Sequence, residues 1–110
     1  MAEKYVLDTA SNGEYYFTLH ARNGEPILTG ETYVNKQGAS DGIQSVRTNC
    51  PYDARYVRKT SSRGLPYFTL TAANGQVIGT GEEYSSAAAC EGGIAAVKTY
   101  GPIAPVEDKT

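Results

Sequence analysis

Two segments decide the fold of this 110-residue chain: Tyr16–Gly24, which reads YFTLHARNG, and Tyr67–Gly75, which reads YFTLTAANG. In each segment apolar and polar residues alternate and then meet an Asn-Gly pair. That pattern is typical of a β-strand that runs into a hairpin turn. The repetition therefore predicts two similar hairpins in one chain.

The rest of the sequence follows the same period of 51 residues. Residues 5–48 align with residues 56–99 without a gap, and 21 of the 44 aligned positions are identical. Chance does not produce such agreement, so the chain is an internal duplication. We interpret residues 1–110 as a single domain, with repeat 1 at 5–51, repeat 2 at 56–102, and a C-terminal strand or tail at 103–110. Neither repeat holds much core alone, so we expect the two to share one.

Each repeat reads as three strands followed by a helix. The pair Asn23-Gly24 predicts a two-residue type I′ turn, in which both central residues need a positive φ. The resulting register places Leu19 opposite Leu28, and Phe17 opposite Gly30, where the ring covers the bare backbone.

The predicted helices begin at equivalent positions. Asn35 and Ser86 are the expected N-caps, and Pro51 and Pro102 end the helices. An apolar stripe with helical spacing follows each cap. Its members are Ala39, Gly42, Ile43 and Val46 in repeat 1, and Cys90, Gly93, Ile94 and Val97 in repeat 2.

Composition argues against several classes of protein. The net charge of −2 and a pI of about 5.3 give no general attraction to nucleic acid or anionic membranes. No apolar run approaches the roughly 20 residues that span a bilayer, and the N-terminal residues lack a signal-peptide pattern. Cys50 and Cys90 form no CxxC motif, and we expect them to stay reduced in the cytoplasm.

The duplicated motifs resemble those of the YegP-like family, small uncharacterised bacterial proteins with a tandem domain of unknown function. The matching segments are residues 16–19, 21–24, 30–33 and 38–46, with their partners in repeat 2. The resemblance implies an α+β fold in which two tandem β-β-β-α-β repeats form a single antiparallel sheet, with two helices packed on one face. It also implies that each repeat's last strand is exchanged into the other half, so that Arg55–Thr60 would close repeat 1 and open repeat 2. No activity comes with the resemblance.

No catalytic, metal-binding or phosphate-binding pattern stands out. His20 is the only histidine and lacks convergent companions, so we expect an exposed strand residue. Cys90 lies on the apolar stripe, whereas Cys50 at a helix end is a candidate for exposure. We therefore expect neither a cofactor nor a metal and no catalytic site, and we keep a small enzyme using Cys50 or His20 as a third hypothesis.

One basic cluster supports the second hypothesis, a nucleic-acid-associated protein. Its members are Arg55, Arg58, Lys59 and Arg63. Basic side chains beside tyrosines on an open sheet can bind single strands, but the net acidity of the chain argues against it. The alternative interpretation is an edge strand protected by charge.

The helices can cover only one face of the sheet, and the other face is the candidate binding face. It is predicted to hold Tyr16, Thr18, His20, Ile27, Tyr67, Thr69 and Ile78. Contiguous patches with this apolar content often mark interaction sites, although strand propensity alone also favours such residues. We interpret the chain as a non-enzymatic binding or interaction module of unknown target. We expect a monomer without membrane association, whose partner is a protein or a small ligand.

Overall fold

Seven strands form one sheet, and two helices lie on one face of it, in a computed structural model that describes residues 2–110. The elements are β1 Lys4–Thr9, β2 Tyr15–His20, β3 Pro26–Gly30, α1 Lys36–Asn49, a 3-10 turn Asp53–Arg55, β4 Tyr56–Thr60, β5 Pro66–Thr71, β6 Val77–Thr80, α2 Ala87–Tyr100 and β7 Val106–Asp108. The strand order is β4-β5-β6-β3-β2-β1-β7. The predicted α+β fold class is thereby confirmed.

The two repeats meet at the central strands β3 and β6. These strands are antiparallel, and Thr29 lies opposite Thr80. The two threonines occupy equivalent positions in the repeats, so a pseudo-twofold axis passes through this pair, normal to the sheet. Each repeat thus supplies one half of a continuous sheet.

The C-terminal segment forms a strand, and that strand departs from the expected antiparallel pairing. β7 runs parallel to β1, with Val106 opposite Tyr5, so the sheet is mixed. The Tyr5 N–H donates to the Pro105 carbonyl at 2.8 Å, and the Lys109 N–H donates to the Leu7 carbonyl at 2.9 Å. The chain returns from α2 to the end of the sheet where β1 begins, so its last strand follows the direction of β1. As the resemblance implied, the strand after repeat 2 pairs with repeat 1. The implied role of Arg55–Thr60 in closing repeat 1 is wrong, because β4 pairs with β5 of its own repeat and is the last strand on that side.

The hairpin turn between β2 and β3 is not the predicted type I′ turn. Only its glycine has a positive φ, 87° at Gly24, and no non-glycine residue within 2–110 does. The Gly24 N–H donates to the Ala21 carbonyl, and the Ala21 N–H donates to the Glu25 carbonyl, both at 2.9 Å. The loop therefore holds three residues and ends in a left-handed glycine. A β-bulge next to Leu19 then restores the predicted pairing of Leu19 with Leu28.

The bulge removes two isoleucines from the open face. Because a bulge sets two residues of one strand against one residue of its neighbour, Ile27 and Leu28 both oppose Leu19. Ile78 occupies the same position in repeat 2, where a bulge lies at the equivalent site. Ile27 and Ile78 are each 8 % exposed and belong to the core. The prediction that placed them on the open face is wrong.

Aromatic rings pack over glycines in the core, as predicted for the strands. A β-carbon at Gly30 would collide with the Phe17 ring, and one at Gly81 with the Phe68 ring. On α1, the Tyr33 hydroxyl occupies the space that a side chain at Gly42 would need. The glycines therefore let aromatic side chains fill the layer between helices and sheet.

Helix ends are fixed by side chains from both repeats. The Asn35 side chain accepts from the Gly38 N–H, as predicted for an N-cap. At the other ends, the Tyr5 hydroxyl donates to the Gly101 carbonyl of α2 at 2.6 Å, and the Tyr56 hydroxyl donates to the Cys50 carbonyl of α1 at 2.7 Å. Each helix is thus held by the first strand of the other repeat. The helices also pack across the axis, α1 on β2 and β6, and α2 on β5 and β3.

We predict that Ile43→Ala and Ile94→Ala each lower the free energy of unfolding by about 2–5 kcal/mol. Both side chains are 1 % exposed at equivalent helix positions. Equilibrium urea unfolding measures the change, with the exposed Gln44→Ala on α1 as the control, expected within about 0.5 kcal/mol of the parent. A loss below about 0.5 kcal/mol for either isoleucine would contradict the shared core.

Candidate binding face

A strip of β-branched residues crosses the sheet face opposite the helices. Successive strand pairings connect one residue from each of six strands. In spatial order these are Val6, Thr18, Thr29, Thr80, Thr69 and Val57. Strands lie about 4.8 Å apart, so this threonine strip is about 24 Å long. Its order reads the same from both ends because the pseudo-twofold axis passes through its centre.

The hydroxyls of the threonine strip are used unequally. Thr18 bonds to His20, whereas Thr29 and Thr80 make no side-chain hydrogen bond to any part of residues 2–110. Thr69 is only 6 % exposed, and its hydroxyl lacks a partner within the same residues. The predicted exposure of Thr69 is therefore wrong. The centre of the strip retains hydroxyls that can bind another molecule.

The two predicted tyrosines lie on this face but not side by side. Tyr16 is opposite Asp8 in β1, and Tyr67 is opposite Lys59 in β4. Both tyrosines are partly buried. Each is the second residue of its strand, and because the axis reverses the direction of β5 relative to β2, the two lie on opposite sides of the threonine strip. The structure therefore places the two tyrosines on one face as two separate patches.

A polar cleft of about 410 Å³ adjoins the patch at Tyr67. It is lined by Ser61, Ser62, Tyr67, Thr80, Gly81, Glu82 and Glu83. Sequence reasoning missed this cleft, because its walls come from the β4–β5 turn and the segment after β6. Only the strand pairing of β5 with both neighbours brings them together. The cleft could have been found from the register of the β4–β5 hairpin, which places the two serines of its turn beside Tyr67.

His20 is occupied on both ring nitrogens. Its Nδ1 lies 3.1 Å from the Gly24 carbonyl, and its Nε2 lies 2.8 Å from the Thr18 hydroxyl. Since a carbonyl only accepts, Nδ1 carries the proton in the neutral ring and Nε2 accepts from Thr18. The prediction of an exposed side chain is wrong, because His20 is partly buried. A metal ion at Nε2 would have to displace the Thr18 hydrogen bond.

The cysteines are both buried and free. Cys50 is fully buried, so the suggested exposure is wrong, and burial raises the pKa of its thiol to about 11. Burial likewise raises the pKa of Cys90, which is 2 % exposed. Residues 2–110 contain no group of three or more His, Cys, Asp and Glu side chains arranged to hold a metal. Within the same range, none of the helices combines the length and the apolarity required to cross a membrane.

The basic cluster lies at an edge of the sheet, and much of its charge is paired. Arg58 bonds to Asp53 and to Glu91, with both closest N–O distances at 2.9 Å. Hydrogen bonds from Arg58 and Lys98 lower the pKa of Asp53 to about 2. Arg63 pairs with Glu83 at 2.9 Å. Position and pairing agree with the alternative interpretation of this cluster as an edge strand protected by charge.

Comparison with known proteins decides the family. A model described as a domain of unknown function, DUF1508, matches residues 10–56 and again residues 61–108. The chain is 52 % identical over 106 residues to a UPF0339 protein of Bordetella pertussis, covering 96 % of each chain. It is 46 % identical over 110 residues to the UPF0339 protein YegP of Escherichia coli K12, covering 100 % of each.

This chain belongs to the YegP-like family. Two solution NMR structures of family members share its fold. That of YegP from E. coli, a protein of unknown function, has a TM-score of 0.93 and covers 100 % of this chain and 95 % of that one. That of a UPF0339 protein from Shewanella oneidensis has a TM-score of 0.90 and covers 98 % and 92 %. Both are 46 % identical to this YegP-like chain. The resemblance inferred from the sequence is confirmed, but it assigns no ligand to this chain.

The burial of both thiols yields a prediction. Neither Cys50 nor Cys90 should react with a thiol-specific disulfide reagent at pH 7 in the native state, because burial excludes the reagent and a raised pKa keeps the thiol protonated. Both should react at once in 6 M guanidinium chloride, which serves as the control. Stoichiometric labelling of the folded protein would instead favour a reactive cysteine.

Proposed function

We propose that this protein is a non-enzymatic binding module and that the sheet face opposite the helices is its binding surface. The observation that carries the proposal is the centre of the threonine strip, where the exposed Thr29 and the partly exposed Thr80 hold free hydroxyls on either side of the axis. Methyl groups and hydroxyls at regular spacing offer both apolar contact and hydrogen bonds. Tyr16 and Tyr67 flank the strip, and tyrosine is enriched in the cores of protein interfaces.

The shape of this face favours a protein partner over a small ligand. Small-molecule sites are concave and enclose most of their ligand. The threonine strip instead extends about 24 Å across the sheet, and its concave part is the polar cleft beside Tyr67. We propose that a partner lies on the strip and places one polar side chain in the cleft near Glu82.

We also propose that the protein is not an enzyme. The groups that the enzyme hypothesis requires are engaged elsewhere: His20 is bonded at both ring nitrogens, and Cys50 is buried beneath the helix ends. A nucleophile needs an accessible thiolate and an adjacent base. The surroundings of Cys50 and His20 supply neither.

Charge weighs against the nucleic-acid hypothesis. The carboxylates of Asp53 and Glu91 hold Arg58, and the carboxylate of Glu83 holds Arg63. To bind a phosphate of a nucleic acid, each arginine would have to release its carboxylate. The open face also carries Asp8 beside Tyr16. Binding to phosphates depends on unpaired cations that release counterions.

We further propose a cytoplasmic monomer. The support for a reducing compartment is the pair of free, buried cysteines. The support for a monomer is that α1 and α2 complete their contacts inside one chain, across the pseudo-twofold axis. The core needs no second copy.

The double change Tyr16→Ser and Tyr67→Ser tests the binding face. We expect it to abolish capture of a partner protein from a bacterial lysate while the melting temperature falls only slightly, since both side chains lie outside the core. Affinity capture with mass spectrometry measures the first, and calorimetry the second. Tyr52→Ser, at a 58 % exposed tyrosine between the repeats, is the matched control. Retention of the same partner by the double variant would refute the proposed surface.

A further inference from the structure

The two edges of the sheet are unequal although the repeats are related by symmetry. β1 is covered by β7, whereas β4 is the last strand on its side. The axis relates Tyr5 to Tyr56 and Leu7 to Arg58. Because the Leu7 carbonyl faces β7, the same orientation directs the main-chain N–H and carbonyl of Arg58 toward open space. β4 therefore presents an open strand edge from the Tyr56 carbonyl onward, since the Tyr56 N–H itself donates to the Asp53 carbonyl of the 3-10 turn.

The chain itself explains why this position is empty. After α2, residues 103–108 run to the edge of β1 and form β7. The equivalent residues after α1, 52–57, contain the linking 3-10 turn and the beginning of β4. One segment cannot serve both as the first strand of repeat 2 and as the strand that covers it. The duplication thus leaves one strand position vacant.

We propose that the vacant edge of β4 binds an extended segment of a partner protein that places one acidic residue opposite Val57 and runs parallel to β4 as β7 runs parallel to β1. This site is distinct from the threonine strip, and it does not depend on the function proposed for that surface. Main-chain hydrogen bonds to an exposed edge supply affinity in such complexes, and side chains supply specificity. The geometry of β7 identifies which side chains meet.

The charges along the edge select an acidic residue at the middle position. In β7 this position is Glu107, which lies opposite Val6 and pairs with Lys4 at 3.1 Å. Val6 is flanked on the open face by Lys4 and Asp8, one cation and one anion. The equivalent Val57 has Lys59 where Val6 has Asp8, and Arg55 precedes it in the 3-10 turn with its Nε bonded to Asn49 of α1. A carboxylate opposite Val57 would therefore meet more positive charge than Glu107 meets.

The flanking positions have different requirements. The residue opposite Tyr56 corresponds to Val106, so an apolar side chain fits there. The residue opposite Arg58 corresponds to Asp108, which pairs with Lys36 at 2.6 Å. The counterpart of Lys36 in repeat 2 is Ala87, and Arg58 is already held by two carboxylates. The segment should therefore read apolar, acidic, uncharged.

Lys59 is left to receive the acidic residue. Lys59 is exposed and makes no ion pair within residues 2–110. Arg55 donates through Nε to Asn49 of α1 and lies 5.9 Å from the centre of the Tyr52 ring, so it is already engaged beside the helix. Val57 between them is 41 % exposed and would be covered by the incoming strand.

A synthetic peptide tests the proposal on the full chain. The probe is acetyl-APVESKT-amide, which copies residues 104–110 with serine in place of the aspartate. We expect saturable changes in the amide NMR signals of residues 56–60, and slower hydrogen exchange at Arg58. The peptide APVKSKT, with lysine at the middle position, should bind at least tenfold more weakly, a difference of about 1.4 kcal/mol.

Charge reversals on the protein supply the second arm. Lys59→Glu should weaken binding of the APVESKT peptide at least tenfold, whereas Arg63→Glu, the same change of charge outside the strand, should alter it less than twofold. The proposal is overturned if no saturable shift occurs at millimolar peptide, which would mean that these charges only protect the edge. Three other peptide results would overturn it as well: shifts confined to β1 and β7, equal binding of both peptides, or unchanged binding by the Lys59→Glu variant. So would sedimentation that shows a dimer, if its second copy already covers β4.

Discussion

Two tyrosine hydroxyls connect the repeats into one structure. Tyr5 in the first strand bonds to the end of α2, and Tyr56 in the fourth strand bonds to the end of α1. Both rings are buried, and burial is the main cause that raises the pKa of each phenol. A buried hydroxyl without a partner costs about 1–3 kcal/mol, so Tyr5 can be buried favourably only when α2 is in place. The neighbouring core side chains depend on the same arrangement.

The symmetry of the duplication fails where the two copies would compete for space. The helix ends meet near the axis, and the equivalent positions there are Cys50 and Gly101. A β-carbon at Gly101 would lie 2.5 Å from the Cys50 sulfur, so only one of the two positions can carry a side chain. At the sheet edges the buried Leu7 beneath β7 corresponds to the exposed Arg58 on the open edge. These differences identify where a fused protein needs asymmetric residues, and one of them creates the vacant strand position.

Much of this fold could be predicted because its signals are periodic and occur twice. The Phe17–Gly30 contact, the caps at Asn35 and Ser86, and the helix stripes through Ile43 and Ile94 all follow from spacing. The β-bulge could not be found that way, because strict alternation assigns consecutive residues to opposite faces. The available signal was the pair of adjacent apolar residues, Ile27-Leu28, in a short strand.

The parts of the candidate site that escaped prediction depend on tertiary pairing. β7 has three exposed residues and no periodicity, so its parallel pairing follows only from where α2 releases the chain. The threonine strip joins six strands that are far apart in sequence, and it requires the register at the axis between Thr29 and Thr80. The alternation of residue types was enough to predict an open face. Its division into two tyrosine patches could be seen only from the positions of all the strands.

The central claim is that neither repeat is stable without the other, and native-state hydrogen exchange tests it most directly. The amides of Val46 in α1 and Val97 in α2 lie at equivalent, fully buried positions in opposite repeats. In increasing denaturant both should exchange through one global opening, with free energies that agree within about 0.5 kcal/mol. Exchange of one helix through a separate opening of lower free energy, while the other helix stays protected, would show two independent units and would contradict the shared core.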